Sequence, residues 1–156
     1  MIYLLFSLIF FLPTIAGIGS ISEKIFGKFS ADISSKLISG MVSVSIIWLI
    51  IAFFFPLNMW VEIITITVGL CAFLYFKIFE NFWNFFRNQK WIFYIILLII
   101  IFFGTFFPFI LDYFGYYVPT IKWLSEFGLV KGIANLDLLL GQMSVWHIFQ
   151  AGFSHF

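Results

Sequence analysis

Charge is what this chain has least of. Asp, Glu, Lys and Arg make up 10% of its 156 residues, against 63% hydrophobic and 24% aromatic. A soluble domain carries about 25% charged residues so that its surface holds water. This chain cannot cover its exterior in that way, and its mean hydropathy of +1.14 describes a chain whose solvent is lipid. Net charge is only +1, so no general attraction to nucleic acid exists and no nucleic-acid partner is expected. Cysteine is nearly absent too. Cys71 stands alone in an apolar run, which excludes an internal disulfide and any cysteine-rich metal site. No phosphate-cradling glycine loop, nucleophile elbow or zinc signature occurs, and no internal repeat stands out. The abundance of Phe and Ile fits an AT-rich bacterial genome.

What the chain does have is long apolar runs. About 20 mostly apolar residues cross about 30 Å of hydrocarbon, and four stretches predict such spans: 2–19, 37–55, 59–76 and 91–109. A signal peptide is the rival reading of the first. No basic residue precedes it and no clear cleavage box follows, which favours a retained helix, kinked at Pro13. In the second, Ser39, Gly40 and Ser43 form a small-residue face where another helix can approach closely. Pro56, Leu57 and Asn58 make a tight, uncharged turn into the third span. Glu62 lies near the outer end of that span, where a solvated interfacial carboxylate is expected rather than a buried proton carrier. Pro108 marks the exit of the fourth.

Two segments between spans read as amphipathic. In 20–36, Ser20 and Glu23 are spaced as a capping box. Phe26, Phe29, Ile33 and Leu37 share one face, with Lys24, Lys28, Asp32 and Lys36 opposite. In 77–90, Phe79, Phe82, Trp83 and Phe86 share a face opposed by Glu80, Asn84, Arg87 and Asn88. The first pattern predicts a helix lying in the membrane interface or a helical loop between spans, and the second an interfacial helix or an extension of the third span. Their basic residues (Lys24, Lys28, Lys36; Lys77, Arg87, Lys90) place both on the cytoplasmic side by the positive-inside rule. The N-terminus and everything just after residue 109 then lie outside.

The character changes from Leu111 onward. Asp112 is the first charge met on leaving the fourth span. Tyr113, Tyr116, Tyr117 and Trp123 follow, rings suited to head-group depth. Gly128 is a plausible helix terminator, and 129–140 reads as a second short helix before Gly141. Ser144 is placed to cap a last helix holding Val145, Trp146, Ile148, Phe149 and Phe153. That helix stops too soon to cross a bilayer, so the chain is expected to be the N-terminal part of a longer polytopic protein. His147 and His155 lie two helical turns apart; a metal pair needs one turn and further ligands, so His147 is expected to be interfacial or packed.

The residues Asp112, Gly115-Tyr116-Tyr117-Val118-Pro119-Thr120-Ile121-Lys122-Trp123, Gly128, Gly132-Ile133-Ala134-Asn135-Leu136 and Ser144-Val145-Trp146 resemble the first large external loop of GT-C-type membrane glycosyltransferases. More narrowly, they are similar to a bacterial branch of multi-spanning proteins of that type. The resemblance covers roughly the last third of the chain. It implies transfer of a sugar from a polyprenyl-phosphate donor, with the loop's acidic role falling on Asp112. Two positions depart from the pattern: Tyr117 stands where a histidine is common, and Leu139 where a basic residue is common. The chemistry is coherent, because glycosyl transfer to a hydroxyl needs a proton acceptor, which a carboxylate supplies. The departing phosphate needs Lys, Arg or a divalent metal. Lys122 and Lys131 are candidates, with head-group contact as their other reading. Tyr116, Tyr117 and Asn135 complete the expected substrate-binding set, although Asn135 alone reads as a turn residue. For Asp112 the other reading is a cap on the following helix.

The expected architecture is therefore all-α and polytopic. Residues 1–110 hold four transmembrane helices with two amphipathic segments, 111–143 form an external periplasmic loop with short juxtamembrane helices, and 144–156 begin a further helix. The expected setting is a bacterial inner membrane, with membrane lipid and a polyprenyl-phosphate sugar as partners. The alternative function is a non-catalytic membrane protein, such as a transporter subunit or assembly factor. The nearly uniform apolar spans speak against transport, which usually shows broken or polar helices at mid-membrane.

Overall fold

The computed structural model describes residues 2–27, 32–104, 113–135 and 140–155. Among these the chain is all-helical, without a strand. Five helices come first: α1 (Ile2–Phe26), α2 (Ile33–Ala52), α3 (Met59–Tyr75), α4 (Ile78–Arg87) and α5 (Trp91–Gly104). A π-helical turn (Tyr113–Tyr117) leads into α6 (Val118–Phe127). Two 3-10 turns (Ile133–Asn135, Leu140–Gln142) precede α7 (Val145–Gly152).

Two helices are long and apolar enough to cross a membrane as single pieces, over Leu8–Phe26 and Ile33–Ala52. At about 1.5 Å per residue, the 20 residues of α2 match the hydrocarbon thickness. A third span arises if α3 and α4, bent by 86° at their junction, are taken together. That bend rests on Lys77, which adopts a left-handed φ of 51°, a conformation costing an L-residue roughly 1–2 kcal/mol. The expected fourth span is described only to Gly104, and its last part, 105–109, lies outside the described residues. The described part of α5 is apolar on every side and mostly exposed, with Trp91, Leu98 and Phe103 each at least 67% accessible. A helix that is apolar all round is built for burial in protein or lipid.

The chain divides into two compact units, 1–40 with 66–108 and 41–65 with 109–156. In the first, helix backbones touch. A Cβ on Gly17 would lie 1.9 Å from the Gly69 carbonyl oxygen, and one on Gly40 would lie 2.0 Å from that of Ile15. These glycines let α1 meet α3 and α2 at van der Waals distance, which drives association where lipid supplies no hydrophobic force. The small-residue face expected around Ser39 and Gly40 is thus occupied by α1. Ala16, Ile33, Phe73 and Ile78 form the adjoining core, against which Phe82 and Phe85 pack.

One local expectation fails in this unit. Ser20 caps nothing: α1 runs unbroken to Phe26, and the Ser20 hydroxyl donates to the Ala16 carbonyl within the helix, at 3.1 Å. A helix that must reach across a membrane gains more by continuing than by stopping at a polar pair. On α4, Ile78, Phe82 and Phe85 pack toward this core, while Phe79 and Trp83 are 62% exposed.

The second unit is organised around Trp48. Its ring is fully buried, lies 4.5 Å from that of Phe153 between centroids, and covers Gly152 so closely that a Cβ there would sit 2.2 Å from indole carbons. Its Nε1–H donates to the Thr65 hydroxyl at 3.1 Å. The segment after Pro56 is stitched to the later loop by the backbone. Leu57 N–H donates to the Leu124 carbonyl (3.1 Å) and Leu129 N–H to that of Ala52 (2.7 Å). Gly128 ends α6 as expected, with a positive φ of 72°. The second short helix expected at 129–140 is replaced by 3-10 turns, and residues 136–139 lie outside the described residues.

Candidate functional site

The expected site residues fall in the second unit. Asp112, the expected catalytic carboxylate, lies outside the described residues, as does Leu139. The geometry that can be built starts at α7. Ser144 caps that helix as the sequence predicts, with its Oγ accepting from the His147 N–H at 3.4 Å. The box is closed by His147 itself, whose Nδ1 accepts from the Ser144 N–H at 3.0 Å. A backbone amide can only donate, so Nδ1 carries the lone pair and the proton resides on Nε2. Burial holds the His147 pKa below its ordinary value, which favours this neutral tautomer. Its Nε2 is buried with no hydrogen-bond partner among the described residues. The rings of Tyr116 and Tyr117 pack on the imidazole, 5.1 and 5.2 Å away between centroids. Burial, helped by Tyr117, raises the Tyr116 phenol above its usual value, so it remains a neutral donor.

Beside the cap opens a groove of about 590 Å³. Leu49, Phe53, Val130, Met143 and Ile148 supply apolar walls, and Lys131 and Ser144 the polar groups. Lys131 makes no ion pair among the described residues. The other expected residues are elsewhere. Lys122 is exposed and pairs loosely with Glu126 one turn on, at 3.9 Å. Such surface pairs contribute little. Asn135 closes a turn, its N–H donating to the Gly132 carbonyl at 2.9 Å. The structure therefore brings Tyr116, Tyr117 and His147 together, sets Lys131 and Ser144 in the groove, and leaves Lys122 and Asn135 outside both.

One pair of functional groups escaped the sequence reading. Glu62, expected to be solvated, is fully buried. Its Oε2 accepts from the His155 backbone N–H at 3.0 Å and lies 3.2 Å from the His155 Nδ1. Its other oxygen is buried without a hydrogen-bond partner among the described residues. The physical reason is cost: a carboxylate out of water must be met by a donor or cation, and the segment after α7 brings one. Glu62 was visible as a lone charge in an apolar run; its partner, 93 residues away, left no local signal. No group of three or more His, Cys, Asp or Glu converges as a metal site among the described residues.

The description of one protein family, the domain of unknown function DUF8201, matches residues 1–156. The chain belongs to that family. The match covers both units, so the groove, the His147 cluster and the Glu62–His155 pair all lie within the DUF8201 domain. Comparison with curated proteins and with solved structures gave no match.

Proposed function

We propose that this DUF8201 chain forms the N-terminal part of a GT-C-like glycosyltransferase of a bacterial inner membrane. In this reading it takes its sugar from a polyprenyl-phosphate donor at the outer face. The observation that carries the proposal is the groove with Lys131 and Ser144 between apolar walls. An isoprenoid tail fits such walls, and an ammonium that meets no carboxylate among the described residues suits a lipid phosphate. His147 adds support, because it brings an imidazole against Tyr117, the position where the resemblance leads one to expect a histidine.

The topology supports the same reading. The second unit joins the uncharged turn at 56–58 to the segment after residue 109. The positive-inside rule assigns both to the outer side, with the N-terminus outside and the chain passing several times. The 86° bend between α3 and α4 suits an α4 lying in the cytoplasmic interface.

In the proposed reaction an acceptor hydroxyl forms a bond to C1 of the donor sugar while the bond from C1 to the phosphate oxygen breaks. Asp112 takes the hydroxyl proton. The lipid phosphate departs with its charge met by Lys131, with the Ser144 hydroxyl nearby. The direct test is photolabelling of the full-length protein with a diazirine-bearing polyprenyl phosphate. Label should fall on the groove walls, and Lys131→Ala should cut it about tenfold, the loss of ~1.4 kcal/mol of a charge-assisted contact. Undiminished labelling in that variant removes the groove from the proposal. Surface glycans unchanged by Asp112→Asn, at normal protein levels, remove the catalytic role.

A further inference from the structure

The first unit contains a second opening, unlike the groove in every chemical respect. A cleft of about 440 Å³ lies between the start of α2 and α4. Asp32 and Ser34 come from the α2 side, while Asn81, Asn84, Asn88 and Gln89 come from α4 and its end, with Phe85 as the aromatic wall. Its volume falls within the range of about 300–1,000 Å³ that holds small molecules.

Four carboxamides in one cleft is an unusual way to make a solvated helix face. Residues 81, 84 and 88 follow the i, i+3, i+7 spacing that stacks side chains in one stripe. Asn is a poor helix former, several tenths of a kcal/mol per residue worse than Lys, Glu or Gln, so solubility alone would be met more stably by those residues. None of the four carboxamides makes a hydrogen bond to another group in the described structure. Each therefore presents two N–H donors and a carbonyl acceptor to whatever enters.

The chemistry of the lining selects the ligand. Among the described residues no Lys or Arg lines the cleft, which disfavours a phosphate or carboxylate, and the one carboxylate they supply is too few for a metal ion. Amides that both donate and accept, a carboxylate that accepts, a hydroxyl and one ring face match a neutral polyhydroxylated group. Its hydroxyls would exchange hydrogen bonds with Asn81, Asn84, Asn88 and Asp32. Its C–H face would lie on Phe85, whose ring is held in place edge-on by Phe86 and Phe93 at centroid distances of 5.4 and 6.2 Å.

We infer that the cleft between α2 and α4 is a binding site for an uncharged sugar or polyol group. This site is independent of the groove and of the reaction proposed for it. The polyhydroxyl group has two sources, a free sugar or the head group of a glycolipid, and the experiment separates them.

The full-length protein in phosphatidylcholine nanodiscs is titrated with methyl glucoside, and separately prepared in nanodiscs doped with a photoreactive glucosyl-diacylglycerol. Saturable binding of the glucoside identifies a free sugar; saturable labelling of the glycolipid alone identifies a head group. In either arm Asn84→Ala and Asn88→Ala should each weaken binding roughly five- to tenfold, as expected for about one net hydrogen bond. Lys131→Ala should leave it unchanged. Both asparagines are exposed, so their replacement should leave the fold intact, which an unchanged melting profile checks. Absence of saturable binding in both arms, or equal binding by the variants, overturns the inference.

Discussion

The two units of this chain solve the same problem with opposite means. The first brings helices together by removing side chains: Gly17 meets the Gly69 carbonyl and Gly40 that of Ile15. The second holds its parts with polar contacts in which one partner is buried: Glu62 with His155, Trp48 with Thr65, and His147 with Ser144. Dispersion between close backbones is dependable, non-polar and chemically inert. Buried polar pairs are costly to form and worse to break, but they place titratable groups at defined positions. The unit that carries the candidate chemistry is the one that accepts that cost.

The comparison can be broken most sharply at Glu62. His155→Ala leaves the buried Glu62 carboxyl with only a backbone donor, and should destabilise the second unit by about 1–3 kcal/mol, the cost of a buried acceptor losing a partner. Replacing both residues by Leu should recover most of that loss, because a hydrophobic pair of similar size is often neutral. Unfolding in mixed detergent micelles measures both. If the double variant is as unstable as the single one, the pair is not what holds this segment.

Next in size is the close backbone contact. Gly17→Ala must push a methyl group into the Gly69 carbonyl, and should cost about 1–3 kcal/mol as an overpacking change. The same assay reads it. Gly27→Ala, where nothing lies within 4 Å but φ is +100°, should cost only about 1 kcal/mol through the backbone. Equal losses at the two positions would show that helix approach is not limited by Gly17.

A smaller effect is expected at the α7 cap. Ser144→Ala removes the hydroxyl that accepts from His147 N–H and should cost about 1 kcal/mol. Hydrogen exchange should rise over Val145–Gly152 and not in α6.

The smallest is a pH effect. Because burial lowers the folded-state pKa of His147, the unfolded chain binds more protons in the window between the two values. The stabilisation is therefore complete above the ordinary value of 6.5, and is lost as pH falls from there through the folded-state value. Protonation also removes the Nδ1 lone pair that closes the capping box. Protection of α7 amides should fall on acidification, and His147→Gln should flatten that dependence.

Local signals in the sequence were a good guide wherever the physics is local. Ser144 at the head of an apolar periodic run is a cap in any surroundings, and Gly128 ends α6 because a positive φ suits glycine. The small face around Gly40 announced a close neighbour without saying which helix. Ser20 misled because a serine inside a helix bonds its own preceding turn, and the residues alone do not distinguish that from a cap. Of the expected site residues, Tyr116, Tyr117 and Lys131 do line recognisable features. Lys122 does not, because its position on α6 turns it to the surface.

By itself, the sequence determined an all-helical chain with membrane-span-like helices, since 63% apolar and 10% charged residues leave lipid as the solvent for most of its surface. It also marked single helix ends, Ser144 at the start of α7 and Gly128 at the end of α6, because a cap or a glycine acts within a few residues. Only the tertiary structure decided that Glu62 is buried and that His155 is the residue that meets it. It alone brought His147 against the two tyrosines, and joined Lys131 to apolar walls from α2 and α7. These are contacts between groups distant in the chain. Their energy depends on which surfaces meet in space, and spacing along a sequence carries no record of that.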